Sequence, residues 1–236
     1  MMMEGGMGME HTMPIEHGME GGMMMMGNGP LILGIHLDIF LMLAAGIFYL
    51  ICSFFVWKSY MKEKTELVGA LLAFLLYQAV NMFFMGLEFQ LGNPLYGQIA
   101  ALSIFVGSAY MLKFPFSSYS KGTRTSVFLI AMIVALAIFG WFMQTEMRQM
   151  SLMNFVLWYD MVVNGIVVGG FMFILALRTT EKWLKIKAFG GSTGVISCCV
   201  VSNGAMLGGS IIAGALFGFL APIFILTSLL LSRKTS

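Results

Sequence analysis

The chain has 236 residues, 59% of them hydrophobic and 10% charged, with a mean hydropathy of +0.89 and a formal net charge of +2. That balance leaves too little polar surface to cover a water-soluble globule, so a lipid bilayer is the expected solvent. The basic residues fall in separate short loops and form no patch interleaved with aromatics, which excludes a nucleic-acid partner from the expectation.

Residues 1–30 hold 11 of the 24 methionines, eight glycines, four glutamates and two histidines, with no Lys or Arg. Such a segment is expected to be a disordered external tail, and residues 31–236 a transmembrane domain. Met7, Met9, His11 and Met13 recur at every second residue, which places their side chains on one side of an extended strand, and His17, Met19 and Met23 to Met26 continue the supply. Several thioethers can converge on one ion in this way. Thioether sulfur is a soft ligand that selects Cu(I), and imidazole adds affinity. The absence of Cys fits an oxidising exterior. On these residues the tail resembles the methionine-rich ectodomain of the high-affinity copper uptake transporters, which implies Cu(I) capture ahead of a membrane passage. The resemblance stops at residue 30. Those transporters have three spans and an MxxxM pair in the second, whereas Met82 and Met85 here make MxxM, so their pore mechanism is not implied.

Stretches long enough for a spanning helix, about 20 mostly apolar residues, occur near 31–57, 67–90, 97–117, 125–145, 153–177, 188–205 and 210–232. The expected fold is therefore all-α, a polytopic bundle of seven transmembrane helices. The uncharged run from Phe189 to Leu231 is twice one crossing and is read as a hairpin broken at Gly204, Gly208, Gly209 and Ser210. With the amino terminus outside, every Lys and Arg except Arg148 becomes cytoplasmic, as positive loops require. The carboxyl terminus then lies in the cytoplasm. No cleavable leader is expected, because a 30-residue acidic tail precedes the first apolar run.

An ionisable group in hydrocarbon costs at least about 2.5 to 3.5 kcal/mol at a helix centre, so each calls for a role. Counting about 1.5 Å per residue from the span ends puts His36 roughly 9 Å inward, Asp38 and Asp160 roughly 12 Å, and Glu88 roughly 5 Å. Gln78, Asn81, Met85 and Glu88 form one stripe down span two, and Asp160 and Asn164 a shorter one in span five. These spacings raise the expectation of an outward polar cavity in which His36, Met85, Glu88 and Asp160 receive a cation from the tail. The plainer alternative is interfacial acids and a packed histidine.

Cys52, Cys198 and Cys199 form no CxxC motif and read as small apolar residues. Three GxxxG pairs, Gly165/Gly169, Gly204/Gly208 and Gly214/Gly218, allow close helix contact. Pro222 is expected to free a carbonyl in the last span. No nucleotide-binding, metalloprotease or hydrolase motif is present, and no enzymatic activity is expected. The leading functional expectation is copper handling at the cell membrane: Cu(I) captured by the tail, then transported or delivered to a membrane copper enzyme. A seven-span sensor or accessory subunit, a homo-oligomer, and a proton-coupled transporter of a small solute are the alternatives.

Overall fold

In the computed structural model residues 30–32 and 34–233 are described; the tail ligands Met7, Met9, His11, Met13, His17 and Met19 lie outside them. Two short strands, β1 Leu31–Ile32 and β2 Ile35–His36, pair antiparallel. Gly34 between them takes φ +79, a left-handed conformation that glycine adopts without a Cβ clash. The first helix, α1 Leu37–Glu63, starts only after this hairpin. His36 is thus its N-cap and Asp38 its second residue, one to two turns closer to the helix end than the hydropathy boundary at residue 31 placed them.

The following helices begin at polar caps rather than where the apolar run begins. Thr65 accepts from Val68 N to start α2 Glu66–Leu91, and Asn93, followed by Pro94 at the first helical position, starts α3 Pro94–Met111. Ser120 opens α4 Lys121–Phe142 in the same manner. Thr145, accepting from Arg148 N, opens α5 Glu146–Asp160, which continues through a π-helical segment, Met161–Gly169, into α6 Gly170–Arg178. Asp160 is therefore residue 15 of a 33-residue helical unit and sits near its middle, deeper than a span starting at residue 153 implies. Next, α7 Lys182–Ile196 runs through a second π-helical segment, Ser197–Ser202, into the short α8 Asn203–Leu207. The chain turns at Gly208–Ser210, with Gly209 at φ +85, and α9 Ile211–Arg233 returns. The glycine-rich patch breaks the long apolar run into the expected hairpin.

Six of these units are long and apolar enough to cross a membrane: α1, α2, α4, the α5–α6 unit, the α7–α8 unit and α9. Consecutive units pack as antiparallel neighbours wherever small residues let backbones approach. A Cβ on Gly46 of α1 would stand 2.8 Å from Phe83 of α2, one on Gly194 of α7 2.8 Å from the Ala221 carbonyl of α9, and one on Gly165 2.6 Å from Val200. Gly204 has nothing within 4 Å of such a Cβ, so this member of the Gly204/Gly208 pair serves the turn and not a helix contact. α4 is the exception to close packing. Only Ala135 and Phe142 of it are buried, and Leu129, Ile130, Ile133 and Val134 are half or more exposed. Exposed apolar residues on this scale across α1, α4, α6 and α9 mark surfaces meant for hydrocarbon.

An ion pair ties the end of α1 to α7, Lys187 Nζ to Glu63 Oε2 at 2.5 Å, and another ties the start of α2 to α4, Arg124 to Glu66. In mid-bundle a different device joins α1 to α9. Pro222 has no N–H, which deprives the Gly218 carbonyl of its helical donor, and the buried Tyr49 hydroxyl donates to that carbonyl at 2.8 Å. Tyr49→Phe is expected to cost about 0.6–1.7 kcal/mol, the range of interhelical hydrogen bonds in membranes. The cost should shrink in a Pro222→Ala background, where the backbone supplies its own donor. A double-mutant cycle on unfolding in detergent checks this, and equal costs in both backgrounds would refute the pairing.

Candidate functional site

Asp160 is fully buried where the two π-helical segments meet. Gly165 and Gly169 make the meeting possible: a Cβ on either would press within 2.9 Å of Val200 or Ile196 across the contact. Single turns of π-helix recur at functional sites, and here the widened stretches flank the one fully buried acid among the described residues.

Four side chains donate to the Asp160 carboxylate, two to each oxygen. Oδ1 accepts from the Tyr77 hydroxyl at 3.1 Å and from Asn164 Nδ2 at 2.6 Å; Oδ2 accepts from Gln78 Nε2 at 3.1 Å and from Asn203 Nδ2 at 2.9 Å. An ionised carboxylate offers roughly four lone-pair positions and no donor, so this shell satisfies it completely. The shell extends outward. Asn81 Nδ2 donates to Gln78 Oε1 at 3.1 Å, Asn164 Nδ2 also reaches Ser108 Oγ of α3 at 2.6 Å, and Cys199 Sγ lies 3.9 Å from the Tyr77 hydroxyl. Gly107 makes room for the tyrosine, since a Cβ there would fall 2.2 Å from Tyr77 Cδ1. Every donor is neutral, and the Lys187–Glu63 and Arg124–Glu66 ion pairs lie elsewhere. Two acceptors inside the network, Asn81 Oδ1 and Asn164 Oδ1, are buried without a hydrogen-bond partner.

The other candidates from the sequence are spread along the bundle. The stripe on α2 is real as far as Gln78, Asn81 and Met85, all buried, but Glu88 is half-buried and lies ten residues beyond Gln78, about 15 Å along the helix. Its carboxylate rests against Gly97 in the first turn of α3, filling the space a Cβ would need, where the helix N-terminus favours negative charge. His36 occupies the N-cap position of α1 with no capping bond from its side chain, and Asp38 Oδ1 accepts from Ile39 N at 2.9 Å. Of the expected set His36, Met85, Glu88 and Asp160, none hydrogen-bonds another in the bonds described above, and among the described residues no group of three or more His, Cys, Asp or Glu is placed to hold a metal ion. Tyr77, Ser108 and Asn203 complete the Asp160 centre without having stood out in the sequence. Asn203 carried a signal, as a lone amide inside an uncharged run, whereas Tyr77 and Ser108 look like ordinary residues of apolar helices.

No protein-family model matches the chain, and no curated protein or solved structure is significantly similar to it. The class rests on the structure itself: a multi-pass helical membrane protein with a buried carboxylate centre.

Replacing Asp160 with Leu removes the acceptor for four buried donors, each costing about 1–3 kcal/mol when unsatisfied. The expected result is a thermal midpoint in detergent depressed well beyond that of Glu88→Leu, whose carboxylate is half-buried. Equal midpoints for the two variants would mean that the four-donor shell is not formed.

Proposed function

We propose that the chain is a seven-span carrier of the cell membrane, with its amino terminus outside, that captures Cu(I) on its methionine-rich tail and moves it inward with Asp160 as the coupling centre. The observation that carries the coupling role is the fully buried Asp160 carboxylate, held by neutral donors and without a cationic partner in its shell. Ionisable residues inside spanning bundles mark ion paths and proton relays, because their insertion penalty is retained only for a task. The cargo is read from the tail, whose Met7, Met9, His11, Met13, His17 and Met19 supply soft ligands.

The seventh span in this reading is α3. Its 18 residues extend about 27 Å, close to the roughly 30 Å hydrocarbon thickness, and its polar residues have partners inside the bundle, Ser108 in the Asp160 shell and Ser103 on the Tyr77 carbonyl. Seven crossings keep the basic loops on one side. An impermeant thiol reagent on intact cells should label Thr12→Cys and should reach Thr235→Cys only after permeabilisation; the reverse pattern would overturn the orientation.

For the transport reading, purified protein in liposomes under an imposed pH gradient should accumulate Cu(I). Asp160→Asn should reduce accumulation to the level of protein-free vesicles, and deletion of residues 1–26 should weaken Cu(I) binding in a competition titration. Accumulation unchanged by Asp160→Asn would remove the coupling role. Full binding after tail deletion would remove the capture role.

A second reading, an accessory subunit that hands copper to a membrane enzyme, is favoured by the nearly bare flank of α4. It predicts no flux, with co-purification of a membrane partner.

A further inference from the structure

We propose that Cys198 and Cys199 form a two-sulfur site for Cu(I) at the contact of the two π-helical segments, beside the Asp160 carboxylate. The inference rests on the carrier reading above and deepens it by naming where the cargo rests inside the bundle.

Both thiols are free and fully buried in the second π-helical segment, Ser197–Ser202. Successive side chains of a π-helix diverge by less than the roughly 100° of an α-helix, so neighbours in sequence are brought toward one face. Cys199 turns toward the acid. Its Cβ stands 3.1 Å from where a Cβ on Gly165 would be, and its sulfur lies 3.9 Å from the Tyr77 hydroxyl, which donates to Asp160 Oδ1 at 3.1 Å. Cys198 is within hydrogen-bonding reach of the Cys199 sulfur and of the Tyr49 hydroxyl. Tyr49 gives its own proton to the Gly218 carbonyl, which leaves its oxygen free to accept from the thiol. The two sulfurs therefore share one space, walled by two phenols, with a buried carboxylate behind them.

The donor set selects the ion. Thiolates favour soft metals, Cu(I) and zinc among them. Structural zinc takes four ligands, and among the described residues no third His, Cys, Asp or Glu joins the pair in a metal-holding group. Two sulfurs alone suit Cu(I), a filled-shell monovalent ion that accepts two ligands in line. Charge explains why the pair lies beside an acid. Two thiolates and one Cu(I) sum to a single negative charge, which is what the Asp160 carboxylate carries alone. Lys187, the buried cation of α7, is engaged by Glu63 and lies eleven residues before Cys198, about 16 Å along the helix. With no cation at hand, the interior keeps its charge constant when the acid takes up a proton as the thiols release theirs.

Loading then balances. A cysteine binds metal as the thiolate, so two S–H bonds break and two S–Cu bonds form. Cys199 gives its proton to the Tyr77 oxygen while the Tyr77 hydroxyl proton passes to Asp160 Oδ1, along contacts already present. The Cys198 proton leaves to water, and no electron changes hands. Asn164, Gln78 and Asn203 keep their N–H bonds to the carboxyl oxygens throughout.

The tail has no cysteine and the whole chain has three, so a copper–thiolate signal reports on the bundle alone. Cu(I), supplied as its acetonitrile complex without oxygen to the detergent-purified full chain, should raise the near-ultraviolet charge-transfer band of Cu(I)–thiolate bonds. Cys198→Ser and Cys199→Ser should each lose that band, and Cys52→Ser on α1 should keep it. Cys198→Ala and Cys199→Ala, which place no hydroxyl in the interior, repeat the test where a serine variant does not fold, with the copper-free thermal midpoint as the check on folding. No band in the wild type, a band kept by folded Cys198 and Cys199 variants, or one lost in Cys52→Ser would overturn the proposal. The expected band in a protein that accumulates no Cu(I) would leave the site standing and remove the transport reading. Accumulation of Cu(I) without the band would do the opposite.

Discussion

A carboxyl group in the interior of a membrane bundle must be surrounded by hydrogen-bond donors, and meeting that requirement at Asp160 sets the relative rotation of several helices. Tyr77 and Gln78 are neighbours on α2 and diverge by about 100° around the helix axis. They reach the same acid only because it lies between them, one addressing Oδ1 and the other Oδ2. Asn203 must then enter from the far side at the start of α8, and Asn164 from the next turn of Asp160's own helix. Each contact has one workable helix rotation. The acid therefore acts as a register pin for α2, the α5–α6 unit and the α7–α8 unit, and α3 is drawn in through Ser108.

The backbone obeys the same rule. In hydrocarbon every N–H and C=O must be satisfied internally, and hydroxyls answer wherever the regular ladder is altered or a spare lone pair is buried. Ser192 donates to the Gly169 carbonyl at the end of the first π-helical segment, Ser197 to Phe217, and Ser202 to Gly214. These three bonds stitch the π-helical stretches to their neighbours. Tyr49 does the same for the carbonyl that Pro222 leaves without a donor. Glycines permit the approach and hydroxyls fix it, which is how a bundle coheres when side-chain burial from lipid supplies little drive.

The membrane class, the centres of the helices and the break before α9 were legible in hydropathy alone, because a long apolar run has few alternatives to a spanning helix. Helix ends were not, since Thr65, Asn93, Ser120 and Thr145 start their helices in polar sequence ahead of the apolar window each helix contains. That difference moved Asp160 from the outer half of a span to the middle of a long helical unit and moved His36 and Asp38 to the first turn of α1. The α2 stripe at Gln78, Asn81 and Met85 was visible through its helical spacing. Its continuation to Glu88 was not a single site, because a stripe records direction around an axis and not distance along it. The cross-helix partners Asn203, Ser108 and Tyr77 depend on which helices touch, and single-span periodicity carries no information about that. Asn203 had no mark beyond being an amide in an apolar run, and the π-helical widening had none beyond Gly165 and Gly169.

The chemistry of the two ends of the molecule argues for a division of labour within the proposed carrier. Thioethers and imidazoles of residues 7–19 suit a soft, polarisable ion, whereas the Asp160 centre offers a carboxylate, amides and a phenol, hard groups that suit a small hard charge. A Cu(I) ion released by the tail would exchange good ligands for poor ones on reaching Asp160. Cargo and coupling ion are then separate species on separate ligands, and the thioether of Met85, buried on the α2 stripe above Gln78, is better matched to the cargo than the acid is. A centre that never binds the cargo can stay closed to it. This accounts for an acid sealed among neutral donors, where only an ion as small as a proton enters without displacing them.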